Sequence, residues 1–469
     1  MEKSYLYLLV TLFQIIWRPT AAQQPPNIVF IFVDDLGWNH VSWHNPSVIT
    51  PHLQELVDNG VLLDQNYLQP CCTPSRSALM TGTYPYKLGR QGNPLAGDQP
   101  TGLSMNYTLL PEALKTLGYS THMVGKWHLG MCDWAYTPTY RGFDTFTGYW
   151  LTMGTYYNHT NHGNYDFHQQ ERVMWEADGI YSTDIYTEEA IKVIEEHQNQ
   201  EQPFFLYFAH QNVHSPYKDC VPQHYLDLYP DVLLPNVRHT LAMVTAMDDS
   251  VGNIVDALKA TGQYDNTVIV WSTDNGGAKS VRDSNIPLRG SKFDLWEGGT
   301  RGPGFVHSPL LLQDTPRTYD GLIHVTDWYN TLLAVAGVSE ALPNNDGVNQ
   351  WDAIRTGHDL APRDEFIYNL DQFNDTIKGA IRQGNYKYVM GETNSLDGGE
   401  TGPWLFNIKD DPNELTNLVS EEPLLATSLE VRLLSHLEDM VPADEPEGDP
   451  AGDPGNYGGV VTPGWCVAH

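Results

Sequence analysis

The chain has 469 residues, 41% of them apolar, with 58 Asp and Glu set against 26 Lys and Arg, for a formal net charge of −32. So acidic a protein repels polyphosphate, which excludes nucleic acid as a partner and leaves a long polyanion tolerable only where cations cluster. The length allows a sizeable core in one large domain, or in a large domain with a smaller one beside it.

In chain order, Lys3 precedes an apolar stretch from Tyr5 to Trp17 and the small residues Thr20, Ala21 and Ala22. This predicts a secretory signal peptide over 1–22, too short to span a membrane. No later stretch approaches the roughly 20 apolar residues of a transmembrane helix, so the mature chain is expected in the secretory route, extracellular or lysosomal. Sequons at Asn106, Asn158 and Asn374 agree with that route.

Asn27 to Val33 is a continuous apolar, β-branched and aromatic run, the pattern of a strand buried on both faces, and it ends in Asp34-Asp35. Thr50 reads as an N-cap with Pro51 at the first helical position, Leu53, Leu56 and Val57 facing inward and Gly60 as the stop. Pro111 to Gly118 repeats the scheme with Leu114 and Leu117 inward. Thr121 to Val124 is a short strand broken at Gly125, before Lys126 and His128. Thr183 to about His197 predicts a helix, Phe204 to Phe208 a strand running toward His210 and His214, and Leu241 to Leu258 a long helix. Thr267 to Trp271 is a further strand, followed shortly by Asp274-Asn275. Alternating strands and helices predict an α/β domain over 23–342 with helices on both sheet faces. Ligands of such sheets sit at the carboxyl ends of strands, so Asp34, Lys126, His214 and Asp274 are expected to converge. Alternation from Ala380 to Val389 and a helical stretch from Leu424 to Met440 predict a smaller α+β subdomain over 343–469, with an irregular tail from Pro442 to Gly464.

The chemistry concentrates in Cys72-Thr-Pro-Ser-Arg-Ser-Ala-Leu-Met-Thr-Gly82. The Pro-Ser-Arg turn opens a helix, which places the Cys72 side chain by unpaired backbone N–H groups, the positive helix end and the Arg76 guanidinium, a setting that attracts anions. Asp34, Asp35, Asp274 and Asn275 form an all-oxygen donor set suited to Ca²⁺ or Mg²⁺. Without a cation such carboxylates repel, by about 4 kcal/mol for two charges about 4 Å apart at an effective dielectric near 20. Arg76, Lys126 and Lys292, with His128 and His214, are the cations and histidines placed beside these motifs.

Cys-x-Pro-Ser-Arg with Thr-Gly further on, together with Val-Gly-Lys126-Trp-His128-Leu-Gly, Val-His214-Ser-Pro and the segment Pro287 to Val306 containing Lys292, resembles the sulfatase family. The last segment, with Ala380 to Lys387 and Leu405 to Glu414, looks most similar to the arylsulfatase B, I and J branch, and the resemblance runs from Asn27 to about Cys466. It implies an alkaline-phosphatase-like fold, a large mixed sheet flanked by helices, and hydrolysis of sulfate esters. It further implies that Cys72 is oxidised to formylglycine by the formylglycine-generating enzyme during secretion. One Ca²⁺ per chain would be bound by Asp34, Asp35, Asp274, Asn275 and the modified Cys72. Lys126, His214 and Lys292 would hold the sulfate, Arg76 and Lys126 would steady the formylglycine, and His128 would be the acid/base partner. An aldehyde hydrate offers two hydroxyls on one carbon, one to attack sulfur and one to release sulfate. The branch points to a small sulfated sugar, a 4-sulfated N-acetylgalactosamine end, or an aryl sulfate as substrate.

With Cys72 modified, Cys71, Cys132, Cys220 and Cys466 are left, a number compatible with two disulfides of open connectivity. The chain departs from the arylsulfatase B branch in having no cysteine between Gln91 and Leu109, while Cys71 and Cys220 look like additions. Two other readings stay open on the sequence: a non-catalytic secreted binder of sulfated glycans, and a phosphoesterase of the same superfamily.

Overall fold

A computed structural model describes residues 24–339, 345–357, 361–373, 376–394 and 398–469. The expected signal peptide, the Asn374 sequon and the boundary between 342 and 343 lie outside the described residues. Ten strands form one mixed sheet, in spatial order Arg317–Tyr319, Val61–Leu63, Gly304–His307, Thr267–Thr273, Asn27–Val33, Phe204–His210, Ser120–Lys126, Thr145–Tyr149, His168–Gln169 and Arg172–Val173. The run from Thr267–Thr273 to Thr145–Tyr149 is parallel, with Val33 opposite both Thr273 and His210. That register brings the segments following these strands to one edge.

Alternation along Asn27–Val33 explains the layers. Val29, Ile31 and Val33 pack with helices Ser182–Glu196 and Pro235–Ala260 on one face. Ile28, Phe30 and Phe32 pack on the other with Leu79, Leu114 and Trp328 of helices Cys72–Thr81, Leu110–Thr116 and Asp327–Val335. Being covered on both sides, the strand carries no polar face. Of the two helix starts read from sequence, Thr50 is the N-cap but gives no side-chain cap bond; its hydroxyl accepts from Ser42 N (3.1 Å) instead. That helix ends at Val57 with Asp58 as cap, before Gly60. In the second, Leu114 is buried but Leu117 is 38% exposed, since the helix stops at Thr116 and Leu117 falls in its cap.

Strands Glu365–Phe373, Thr376–Gln383, Tyr386–Met390 and Trp404–Asn407 form a separate antiparallel sheet, and helix Pro423–Ser435 lays Leu429 and Leu433 on it. Its junction with the large sheet is ionic as well as apolar. Glu297 accepts from Tyr67 Oη (2.7 Å), Tyr368 Oη (2.8 Å) and Lys387 Nζ (3.1 Å), and Glu414 accepts from the Glu297 N–H (2.7 Å). Lys387, fully buried, also pairs with Glu414 at 2.8 Å. One ammonium thus serves two carboxylates. Burial pushes Glu414 up to about 7, with the Glu297 charge adding to it and Lys387 opposing, whereas Lys387, with Arg382 and Arg301, outweighs burial to hold Glu297 below its usual range. A raised folded pKa favours the native state fully below the ordinary Glu value, and that gain is lost as pH rises through about 7. We expect the melting temperature to fall between pH 5 and 7.5 more steeply in the wild type than in Glu414→Gln. Parallel profiles would show that Glu414 is ionised throughout.

The tail is tied down. Cys132 and Cys466 form a disulfide across a sequence separation of 334, and Asp444 N, Asp449 N and Val461 N bond to Gly89 O, Asp98 O and Tyr165 O. Cys71 and Cys220 are buried free thiols, so the structure has one disulfide among the described residues where the cysteine count allowed two. Closing so long a loop restricts the unfolded chain most, and Cys466→Ser should lower stability by about 2–5 kcal/mol in denaturant titrations. A change below about 0.5 kcal/mol would mean that the tail's backbone bonds suffice.

Candidate active site

The helix of Cys72–Thr81 begins at Cys72 itself, with extended Cys71 as its N-cap and Gly82 closing it in the left-handed region (φ 67°). All ten of its residues are buried. The thiol is held among charges that arrive from strand ends. Cys72 Sγ, carboxylate oxygens of Asp34 and Asp35 and a ring nitrogen of His214 lie within 4.8 Å of one another. Asp35 sits at positive φ (61°), which turns the chain so that consecutive aspartates both serve the site.

Each carboxylate has a cation. Asp34 Oδ2 is 2.7 Å from Lys126 Nζ, and Asp35 Oδ1 is 2.6 Å from Lys292 Nζ and accepts from Asn275 Nδ2 at 2.8 Å. Asp274 Oδ2 accepts from Arg76 Nε (3.2 Å) and Nη2 (2.8 Å), while its Oδ1 takes the Asp35 N–H (3.1 Å). Arg76 also reaches toward Asp34 Oδ1 at 3.6 Å and donates to the Lys126 carbonyl (3.1 Å). His214 Nε2 is 3.7 Å from Asp35 Oδ2. Asp34, Asp35, Cys72, Arg76, Lys126, His214, Asp274, Asn275 and Lys292, scattered along the chain, therefore converge on one buried cluster.

The electrostatics follow from burial and from these pairs. Burial raises the Asp35 carboxyl, but Lys292, His214 and Lys126 outweigh it and hold it well below the carboxylate range. Asp274 goes the other way, up to about 6, through burial and the charge of Asp34, with Arg76 opposing. Burial lowers His214 to about 3, Lys292 and Lys126 adding to the effect. It also drops His128 well below its usual value, with Lys126 reinforcing. The His128 ring is accordingly neutral.

The donor set fits a hard divalent cation. Asp34 Oδ1 and Asn275 Oδ1 are buried with no hydrogen-bond partner, in a cluster of oxygen donors whose negative charge the local cations only just balance. Three carboxylates face three cations, Arg76, Lys126 and Lys292. Adding a divalent ion makes the pocket net positive inside a protein of charge −32, which is what capture of an anion there requires.

His128 has φ 59°, and its Nε2 lies 3.0 Å from the Leu95 carbonyl. A carbonyl only accepts, so Nε2 carries the proton and Nδ1, buried with no partner, keeps a free lone pair. Thr73 fixes this arrangement by accepting from Leu95 N (3.2 Å) and donating to His128 O (3.3 Å). Sequence reasoning missed Leu95, because a carbonyl has no side-chain signature. It also missed Asn212, whose carbonyl accepts from Asp34 N (3.0 Å), and Tyr207, whose hydroxyl is 3.5 Å from Arg76. Asn106 and Asn158 are exposed, as sequons in use must be.

A sulfatase family model matches residues 26–338. The chain is 37% identical to arylsulfatase J of Mus musculus over 95% of its own length and 81% of that protein's. It is 30% identical to N-acetylgalactosamine-6-sulfatase of Homo sapiens over 81% of this chain and 74% of that one. Among solved structures, Ps i-CgsB in complex with k-i-k-neocarrahexaose superposes with a TM-score of 0.80 at 28% identity, covering 91% of this chain and 96% of the other. Motifs, fold and relatives agree: this chain belongs to the sulfatase family, a sulfuric ester hydrolase on an alkaline-phosphatase-like α/β fold.

Proposed function

We propose that this protein hydrolyses sulfate esters of a small sulfated sugar or an aryl sulfate with formylglycine, made from Cys72 by the formylglycine-generating enzyme, as its nucleophile. The mutual reach of Cys72 Sγ, Asp34, Asp35 and His214 inside a ring of buried cations carries this reading. Asp34, Asp35, Asp274 and Asn275 would hold Ca²⁺ together with the side chain at position 72. The formylglycine hydrate supplies the attacking hydroxyl and Ca²⁺ the charge that favours its deprotonation.

The chain's own groups do the rest. Lys126, His214 and Lys292 bind and orient the sulfate, the two lysines supplying fixed positive charge and donors where the sulfuryl oxygens gain negative charge. Arg76 and Lys126 steady the side chain at position 72. His128, neutral and with Nδ1 free, takes up and returns a proton there, its ring locked by the Leu95 carbonyl. Burial of the whole set excludes water and strengthens each of these interactions. The likeness to N-acetylgalactosamine-6-sulfatase and to Ps i-CgsB, solved in complex with k-i-k-neocarrahexaose, supports a sulfated saccharide. The expected setting is the secretory route, extracellular or lysosomal, with glycans on Asn106, Asn158 and Asn374.

Intact mass of protein secreted from a host that makes formylglycine should show the loss that converts the Cys72 thiol to an aldehyde. Dialysis against a Ca²⁺ chelator should abolish sulfate release, and added Ca²⁺ should restore it. A persisting thiol in fully active enzyme would overturn the nucleophile assigned here, and full activity after chelation would overturn the metal.

A further inference from the structure

The way out of the buried cluster is marked by what exposure its residues retain. Asp34, Cys72, Arg76, Lys126, Asp274 and Asn275 have none, whereas His214 and Lys292 keep 7% and 6%. A sulfate held by Lys126, His214 and Lys292 therefore has its ester oxygen, and the alcohol beyond it, directed past His214 and Lys292.

An aromatic side chain stands beside each of these two residues. Phe293 directly follows Lys292, Tyr217 comes shortly after His214, and both are half-buried. Phe293 has φ 76°, a region that a bulky side chain adopts only under strain. A closed turn holds it there. Asp294 Oδ2 accepts from Ser291 N (2.9 Å) and Ser291 Oγ (3.2 Å), and its Oδ1 accepts from Asn394 Nδ2 (2.6 Å). The Phe293 N–H donates to Pro70 O (2.6 Å), just before Cys71 and Cys72. The ring centroid then lies 5.5 Å from Lys292 Nζ. Folding alone gives no reason for a phenyl ring at this position, since glycine meets the same backbone angle without strain.

Tyr217 approaches from the other face of the sheet. It packs with the apolar cluster of helices Ser182–Glu196 and Pro235–Ala260, and its carbonyl accepts from Cys220 Sγ (3.4 Å). Its hydroxyl bonds to Ser280, on the segment that follows Asn275. Burial pushes that hydroxyl up to about 12, with the Asp35 charge adding to it, so Tyr217 is uncharged and within electrostatic reach of the cluster. Two uncharged rings on opposite sides of one exit offer flat apolar faces. An aryl group stacks on such faces, and a pyranose lays its C–H face on them. Inorganic sulfate, held by the cations alone, gains nothing from them.

We propose that Phe293 and Tyr217 are specificity-determining residues that clamp the ring of the alcohol, aryl or pyranose, where the ester emerges past Lys292 and His214. This rests on the hydrolytic reading above, which places the sulfate among Lys126, His214 and Lys292.

The test measures KM for 4-nitrophenyl sulfate and for the methyl glycoside of 4-sulfated N-acetylgalactosamine, beside the inhibition constant of inorganic sulfate. Phe293→Ala and Tyr217→Ala should each raise both KM values about tenfold while the sulfate constant stays within about twofold of wild type. Tyr217→Phe keeps the ring and loses the bond to Ser280, and should hold both KM values within about twofold. Phe293→Gly should raise KM as Phe293→Ala does yet melt no lower than it, which separates loss of the clamp from loss of the fold. KM values within about twofold of wild type in both alanine variants would overturn the clamp. A sulfate constant that rises in step with KM would overturn it too, since the rings would then only hold Lys292 and His214 in place. Calorimetric titration of wild type and Phe293→Ala with the sulfated glycoside separates this proposal from the hydrolytic reading. Binding weakened about tenfold in the variant, while wild type releases no sulfate, would uphold the clamp and sink the hydrolysis. Turnover with unchanged KM in both alanine variants would do the reverse.

Discussion

Cys72→Ala is expected to lower sulfate release by about four orders of magnitude or more while leaving a folded protein. The side chain at this position is the one group in the cluster whose chemistry no neighbour can supply. The surrounding cations would still bind sulfate, so affinity for an inert sulfate ester should survive the loss of turnover. A small buried side chain shortened to methyl costs about 1 kcal/mol, so the melting temperature should move by only a few degrees. Cys72→Ser sharpens the test, because serine brings one hydroxyl in place of two and should stop after a single turnover at most. Retention of more than a hundredth of wild-type turnover in Cys72→Ala would remove Cys72 from the mechanism.

Arg76→Met is expected to cost about 3–5 kcal/mol of stability as well as activity. Its guanidinium is fully buried, grips Asp274 through two nitrogens and approaches Asp34, so removing it leaves buried carboxylates without their counter-charge. The double change Arg76→Met/Asp274→Asn removes one of those charges and should recover part of the stability but none of the activity. Denaturant midpoints measure the first effect and sulfate release the second. A loss below about 1 kcal/mol in the single variant would mean that water or an ion compensates the carboxylates, and the guanidinium would then count as a catalytic group only.

The strands were legible because burial on both faces leaves an unbroken apolar run, as in Asn27–Val33, Phe204–His210 and Thr267–Thr273. Their polar sequels then marked the site, since a parallel register sets strand ends side by side. Boundaries were less legible: helix Pro235–Ala260 starts well before Leu241, on a partly exposed polar turn whose periodicity is weak. Leu117 illustrates the same limit, for helical phase ceases to predict burial once the helix has ended.

Pairing of the cysteines needed coordinates, because distance along the chain says nothing of distance in space: Cys132 and Cys466 meet, while Cys71 and Cys220 stay apart as free thiols. The same holds for the acidic tail. Composition marked it as irregular, and only the fold turns it back over the Leu95–Asp98 loop, where its aspartates wall a cleft.

By itself the sequence determined which chemical groups this protein brings to its reaction, because a thiol at a helix start, paired aspartates and a few cations in an acidic chain are local facts. The tertiary structure decided which cation faces which carboxylate, which nitrogen of His128 is free, and what stands beside it. Those depend on contacts between segments far apart in the chain, and such contacts exist only once the sheet has set its register.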